Sequence, residues 1–189
     1  MEKIISLFAR NYDGDRLVRD EIVPGAEWVV AGEGVATQKW DGTACLVRDG
    51  LFYKRYDAKR GKTPPLGFEP AQEPDPVTGH WPGWVFVGNG PEDRWHREAW
   101  VQPDVAPGQR LPPEDGTYEL VGPKIQGNPE GLERHRLMRH GKVGVLPDAP
   151  RDFAGLRTYL DGGGIEGIVW HHPDGRMVKI KARDFGVTR

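Results

Sequence analysis

The chain's clearest candidate for covalent chemistry is Lys39, which opens the run Lys39-Trp40-Asp41-Gly42-Thr43 directly after Gln38. An extended backbone there sets Lys39 and Asp41 on one face and Trp40 on the other, by the period of two of a strand. A lysine is a nucleophile only as the neutral amine, and at an ordinary pKa of about 10.4 that form is scarce at neutral pH. Lowering the pKa to about 7.5 takes about 4 kcal/mol of differential stabilisation, a task for neighbouring cations or a hydrated metal together with burial. Cations of that kind stand in Met177-Val178-Lys179-Ile180-Lys181, where Lys179 and Lys181 share one strand face and Val178 and Ile180 the other. Two like charges side by side cost energy unless an anion lies between them, and phosphate is the natural anion for that arrangement.

Two carboxylates accompany the cations. Glu119 lies in Thr117-Tyr118-Glu119-Leu120-Val121-Gly122 and Glu166 in Ile165-Glu166-Gly167-Ile168-Val169-Trp170, each the only acid of an apolar run. Burying an unpaired carboxylate is costly, so each is expected to meet a metal ion, a cation or a ligand hydroxyl. Taken singly, these patterns also fit a surface turn, edge-strand acids and a solvated basic face. Their weight lies in their occurring together.

The elements that must hold these residues are mostly short strands. Strands are predicted over 43–48 and 51–57, joined at Asp49-Gly50, a strong two-residue hairpin signal. Further strands are predicted over 84–87, 117–121, 142–146, 165–171 and 177–181, the last two joined by a turn at Pro173-Asp174-Gly175. One helix is predicted over 150–160, capped by Asp148, with Phe153, Leu156 and Leu160 on one stripe and Gly162-Gly163-Gly164 ending it. A second is read over 91–100, and 61–83, rich in proline, glycine and acids, as a long surface loop. Residues 1–38 match no motif and are read as adding strands to the core. The fold class is therefore α+β, mainly antiparallel sheets with few helices.

Composition excludes several alternatives. No apolar run reaches membrane-spanning length, and the first residues lack a signal-peptide pattern, so a membrane location is not expected. The only cysteine, Cys45, excludes an intrachain disulfide and reads as a buried thiol in a reducing compartment. The histidines show no zinc pattern. A net charge of −2 argues at face value against a nucleic-acid partner, but it is a cancellation: 39–62 and 120–189 each carry +4, against −3 for 1–38 and −7 for 63–119. The two basic segments hold Lys39, Arg55, Lys179 and Lys181, which would focus the field on an anionic ligand.

In chain order, Lys39-x-Asp41-Gly42, a basic strand with Arg55, Tyr118-Glu119-Leu120, Glu166-Gly167-Ile168-Val169 and Lys179-Ile180-Lys181 resemble the covalent nucleotidyltransferase superfamily of ATP-dependent ligases and mRNA-capping enzymes. The wording of Tyr118-Glu119-Leu120-Val121-Gly122, Gly127-Asn128-Pro129 and the run from Ile165 to His171 is most similar to the eukaryotic-type 5′ to 3′ RNA ligases. That resemblance implies a ligase-type nucleotidyltransferase domain, ATP-grasp-like, over 1–189, with 1–38 as an N-terminal extension. Only 182–189 follow Lys181, so no OB-fold domain is expected.

The resemblance also implies roles. Lys39 would attack the α-phosphorus of ATP to form a lysyl-AMP, with Lys179 and Lys181 stabilising charge on that phosphate. Gln38, Asp41 and Gly42 would line the nucleotide site, Arg55 or its rival Arg60 would hold the ribose or a substrate 5′ phosphate, and Glu119 would contact ribose or a metal. Glu166 would coordinate Mg²⁺ or Mn²⁺. The AMP would pass to an RNA 5′ phosphate, which an RNA 3′ hydroxyl would then attack. A cytoplasmic monomer acting in RNA repair is expected. Two alternatives share most of these features: a guanylyl- or adenylyltransferase that modifies RNA ends, and a noncatalytic module that binds RNA ends or nucleotide.

Overall fold

The two hairpin signals form as the turn residues dictate. Asp49 and Gly50 both take positive φ, 53° and 70°, which a tight two-residue hairpin requires. At the second hairpin Gly175 (φ 94°) lets its own amide reach the His172 carbonyl at 3.0 Å. The structure is a computed structural model and describes residues 4–100 and 113–189.

The strands are β1 (Ile5–Ser6), β2 (Phe8–Arg10), β3 (Val18–Ile22), β4 (Val35–Gln38), β5 (Thr43–Arg48), β6 (Leu51–Ala58), β7 (Glu69–Pro70), β8 (Trp81–Phe86), β9 (Gly116–Val121), β10 (Arg136–Arg139), β11 (Gly167–His171) and β12 (Met177–Lys181). The helices are α1 (Glu27–Val30), α2 (Arg94–Trp100), which continues from a 3-10 turn at Pro91–Asp93, and α3 (Phe153–Leu160). Strands predominate and all their pairings but one are antiparallel, so the class is α+β with little helix. The described residues divide into two compact units, 41–140 and 4–40 with 141–189. No described helix is long and apolar enough to cross a membrane.

The unit of residues 41–140 is built on a six-stranded sheet ordered β10-β9-β5-β6-β8-β7. Alternation divides its faces. Cys45, Val47, Phe52, Tyr118 and Leu120 turn into a core closed by Val87, Ala99 and Ile125, and the buried Cys45 thiol is pushed well up in pKa, chiefly by burial. Lys54 lies on this inner side and is neutralised by the buried Asp93 at the end of the 3-10 turn that leads into α2, whose other oxygen accepts from the Gly88 amide at 2.8 Å.

The unit of residues 4–40 and 141–189 holds a four-stranded sheet ordered β1-β12-β11-β4, flanked by the β2-β3 pair. Ile168, Trp170, Val178 and Ile180 are wholly buried on one face, packed with Leu7, Phe8, Leu156 and Leu160. The N-terminal strands β1 and β4 are the sheet's two outer members, so the first 38 residues do add strands to a core.

Four local expectations need correction. Residues 142–146 are not a strand: Val145 makes a single bridge with Thr37, because Gly141 and Gly144 adopt φ of 70° and 72° and interrupt extended backbone. Helix α3 begins at Phe153 and is capped by Asp152, not Asp148, since the Asp152 carboxylate accepts from the Gly155 amide at 2.8 Å. The loop over 61–83 contains the edge strand β7, where Pro70 is tolerated, and the first residues of β8. Strand β11 starts at Gly167, which leaves Glu166 immediately outside it.

Candidate functional site

In the second unit the face of the sheet opposite the core gathers the charged residues. Val169 pairs with Lys179 on one side and with Thr37 on the other, and Gly167 pairs with Lys181 while its carbonyl accepts from the Lys39 amide at 2.8 Å. Opposed residues in antiparallel strands point to the same face, so Lys39, Gly167 and Lys181 form one row and Thr37, Val169 and Lys179 the next. Gly167 stands between two lysines because nothing larger fits. A Cβ there would lie 2.1 Å from the Ile180 carbonyl oxygen and 2.8 Å from Lys181 Cα.

Glu166, one residue before that glycine, ties the row together. Its Oε2 accepts from Lys39 Nζ at 2.6 Å and its Oε1 from Lys181 Nζ at 2.5 Å. The three side chains are only 20%, 15% and 13% exposed for Lys39, Lys181 and Glu166, so these are desolvated charge-assisted bonds. Burial pushes the Glu166 carboxyl up in pKa, but Lys39 and Lys181 outweigh it and hold it below the usual glutamate value. The end of β12 is fixed in turn by Asp184, which accepts from the Lys181 amide at 3.1 Å and from the Arg10 guanidinium.

Lys179 has a different environment. Burial first, then the charges of Lys181 and Lys39, depress its pKa to about 8. An anion seated on this face stabilises the ammonium and raises that value, so the anion binds together with a proton in the range where free Lys179 is neutral. Sulfate, whose own charge is constant there, is expected to bind most tightly below about pH 8, with affinity falling at most tenfold per pH unit above it. Lys179→Gln removes this dependence; calorimetric titrations of both proteins between about pH 7 and about pH 9 check it.

The first unit holds a second group, on the outward face of its sheet. Glu119 is opposite Ala44, and Cys45 is opposite Lys54, so Ala44 stands between Glu119 and Arg55 in one row. Arg55 is opposite Trp84, lies over its ring at 5.5 Å and donates from Nε to Asp57 at 3.0 Å. Arg60 lies beyond the end of β6, exposed, against Gly79. Of the two rival arginines, therefore, Arg55 shares the face of Glu119.

The Asp41-Gly42 step is a bend, and β4 ends at Gln38, so the alternation read through Lys39 and Asp41 stops before Asp41. Gly42 is needed for contact: a Cβ would lie 2.1 Å from the Leu120 carbonyl oxygen and 2.9 Å from Glu119 Cγ. The Asp41 amide donates to Glu130 at 3.3 Å, which brings the Gly127-Asn128-Pro129 loop to this bend. Gln38 is opposite Ile168, on the sheet face turned away from Lys39.

Sequence reasoning passed over His140. It sits beside β9, its Nε2 3.1 Å from Glu119 Oε2 and its Nδ1 3.0 Å from Thr117 Oγ1. No local pattern marks it, because the contact depends on the β9-β10 register. Thr37 and His171 were likewise unassigned, yet they are linked at 3.0 Å on the lysine-bearing face. Among the described residues no three His, Cys, Asp or Glu side chains cluster as a metal site. Single carboxylates such as Glu166 and Glu119 suit Mg²⁺ or Mn²⁺ held largely by water and substrate phosphates, not an all-protein cage.

A sequence model of the RNA ligase 1 family matches residues 68–189, and the chain belongs to that family. The matched stretch contains Glu119, Glu166, Lys179 and Lys181 and begins beyond Lys39. RNA ligase 1 of Pongo abelii is 32% identical over 137 residues, covering 58% of this chain and 42% of that protein. RNA ligase 1 of Rattus norvegicus and that of Mus musculus are each 28% identical over 219 residues, covering 81% of this chain and 67% of each protein.

Proposed function

We propose that this chain is an ATP-dependent RNA ligase of the nucleotidyltransferase type, working through a lysyl-AMP at Lys39. The observation that carries the reading is the row Lys39, Glu166 and Lys181, with the half-buried Lys179 in the adjoining row of the same face. Membership in a family whose relatives bear the name RNA ligase supports it.

In the first step the Lys39 ammonium gives up a proton and its Nζ attacks the α-phosphorus of ATP. An N–P bond forms, the bond to pyrophosphate breaks, and the second proton leaves the nitrogen. Lys179 and Lys181 supply positive charge to the phosphate oxygens as the transition state develops. Glu166 orients Lys39 beforehand, which matters because a free lysine side chain has many rotamers to lose. In the second step an RNA 5′ phosphate displaces Lys39 from the AMP; in the third a 3′ hydroxyl attacks that activated phosphate and AMP departs.

A divalent ion, Mg²⁺ or Mn²⁺, would be held by Glu166 or Glu119 together with substrate phosphates, and it supplies neutralisation of phosphate charge. Arg55, on the face of Glu119, is the candidate for a ribose or 5′-phosphate contact. The N-terminal strands, which build the lysine-bearing sheet, belong in this reading to the adenylation machinery.

The test is a joining assay with RNA strands carrying a 5′ phosphate and a 3′ hydroxyl, incubated with ATP and Mg²⁺. Joined or circular product that needs all three is expected. Modified ends without joining would point instead to an end-modifying transferase, and nucleotide binding without any transfer to a noncatalytic module.

A further inference from the structure

Thr117 and Glu119 are two residues apart on β9 and face the same way, and the His140 ring spans them. The backbone fixes the ring's base, since the His140 amide donates to the Thr117 carbonyl at 3.0 Å. Both side chains are largely enclosed, His140 18% and Glu119 14% exposed.

A carboxylate only accepts hydrogen bonds, so Nε2 must carry the proton and donate to Glu119 Oε2. The Thr117 hydroxyl serves Nδ1 whichever way that second proton lies: it donates to a bare nitrogen or accepts from an N–H. The ring is therefore held at both nitrogens, with Nε2 directed at Glu119. Among the described residues Oε1 accepts no hydrogen bond, which leaves an oriented acceptor available to a ligand donor.

We propose that His140 is a positioning residue that fixes Glu119 by one carboxylate oxygen and so aims the other at a ribose hydroxyl of the nucleotide. The inference rests on the nucleotide-binding reading above, and binding can be followed apart from ligation. A hydroxyl read by an enclosed, fixed acceptor discriminates strongly against an analogue lacking it, and an unfixed acceptor discriminates less.

The experiment measures equilibrium binding of ATP and of 2′,3′-dideoxy-ATP to the full chain carrying Lys39→Ala, which blocks covalent transfer. Binding is compared with and without His140→Ala, His140→Gln and Thr117→Val. His140→Ala is expected to weaken ATP binding about tenfold while leaving the dideoxy analogue nearly unchanged, so the preference for ATP collapses. His140→Gln, whose amide still donates, restores much of the preference. Thr117→Val, which frees the ring, gives an intermediate loss. Equal weakening of both nucleotides by His140→Ala, or no change in either, would overturn the proposal, as would a chain that binds neither. Retained discrimination governed by His140 in a protein that joins no RNA would uphold it and remove the ligase reading instead.

Discussion

Glu166→Gln is expected to cost the protein both the proposed adenylation of Lys39 and much of the stability of the sheet that holds that lysine. Glu166 meets two ammonium groups with its two oxygens, and it is the anion paired with both Lys39 and Lys181 in that row. The amide retains the shape but leaves Lys39 and Lys181 facing each other, with Lys179 nearby, and the repulsion unbalanced. Removing one member of an enclosed ion pair is strongly destabilising because its partner stays desolvated, and about 3 kcal/mol is expected here. Sulfate or phosphate should recover a large share of that loss, since it supplies the missing negative charge, and thermal melts at matched ionic strength with chloride as the control read the difference. The rate of adenylate formation should fall at least a hundredfold, the usual scale when a reacting group is misplaced by about 1 Å. If anions rescue neither stability nor rate, the lysines do not form an anion site.

Gly167→Ala tests the same row through its backbone. The new methyl would sit 2.1 Å from the Ile180 carbonyl oxygen, an atom of the neighbouring strand that cannot rotate away. Relief requires β11 and β12 to part where Gly167 faces Lys181, which moves the same residue whose carbonyl, on the opposite edge of β11, receives the Lys39 amide. A cost of about 3 kcal/mol in stability is expected, at the upper end for overpacking. A loss of adenylation of at least a hundredfold should persist below the melting temperature, because both lysines shift even while the chain stays folded. Ala99, buried in the core of the other unit, offers the comparison: Ala99→Gly should lower stability by cavity formation yet leave the rate per folded molecule intact.

Periodicity carried much of this site into view from the sequence. The alternation in Met177–Lys181 separates Val178 and Ile180, both wholly buried, from Lys179 and Lys181, as a strand of period two must. The Asp49-Gly50 turn was equally legible, being a local requirement for positive φ. Non-local contacts were not. That Glu166 would bridge Lys39 to Lys181 depends on β4 and β12 pairing with opposite edges of β11, and no short window of sequence holds that information. His140 reaches Glu119 for the same reason, through the pairing of β10 with β9. The misread strand over 142–146 failed locally: its apolar residues suggested extension, but the two glycines adopt left-handed φ and leave one bridge.

The acid limb of stability should follow the same charges. Glu166 is held below its ordinary pKa in the folded protein, so its contribution is complete above the unfolded value and is lost as pH falls through the folded one. Lys179, depressed to about 8, costs the fold stability when charged; that cost builds as pH falls from the unfolded lysine value to about 8 and is constant below it, so it adds nothing to the acid limb.

The most direct measurement is transfer of label from ATP, marked at the α-phosphate, to the protein in the presence of Mg²⁺, followed on a denaturing gel and by peptide mapping. A single acid-labile, alkali-stable adduct located at Lys39 is expected, absent from Lys39→Ala and discharged when pyrophosphate or a 5′-phosphorylated RNA is added. Label on another residue, or a folded wild-type chain that binds ATP and takes up no label, would contradict the assignment of Lys39 as the nucleophile.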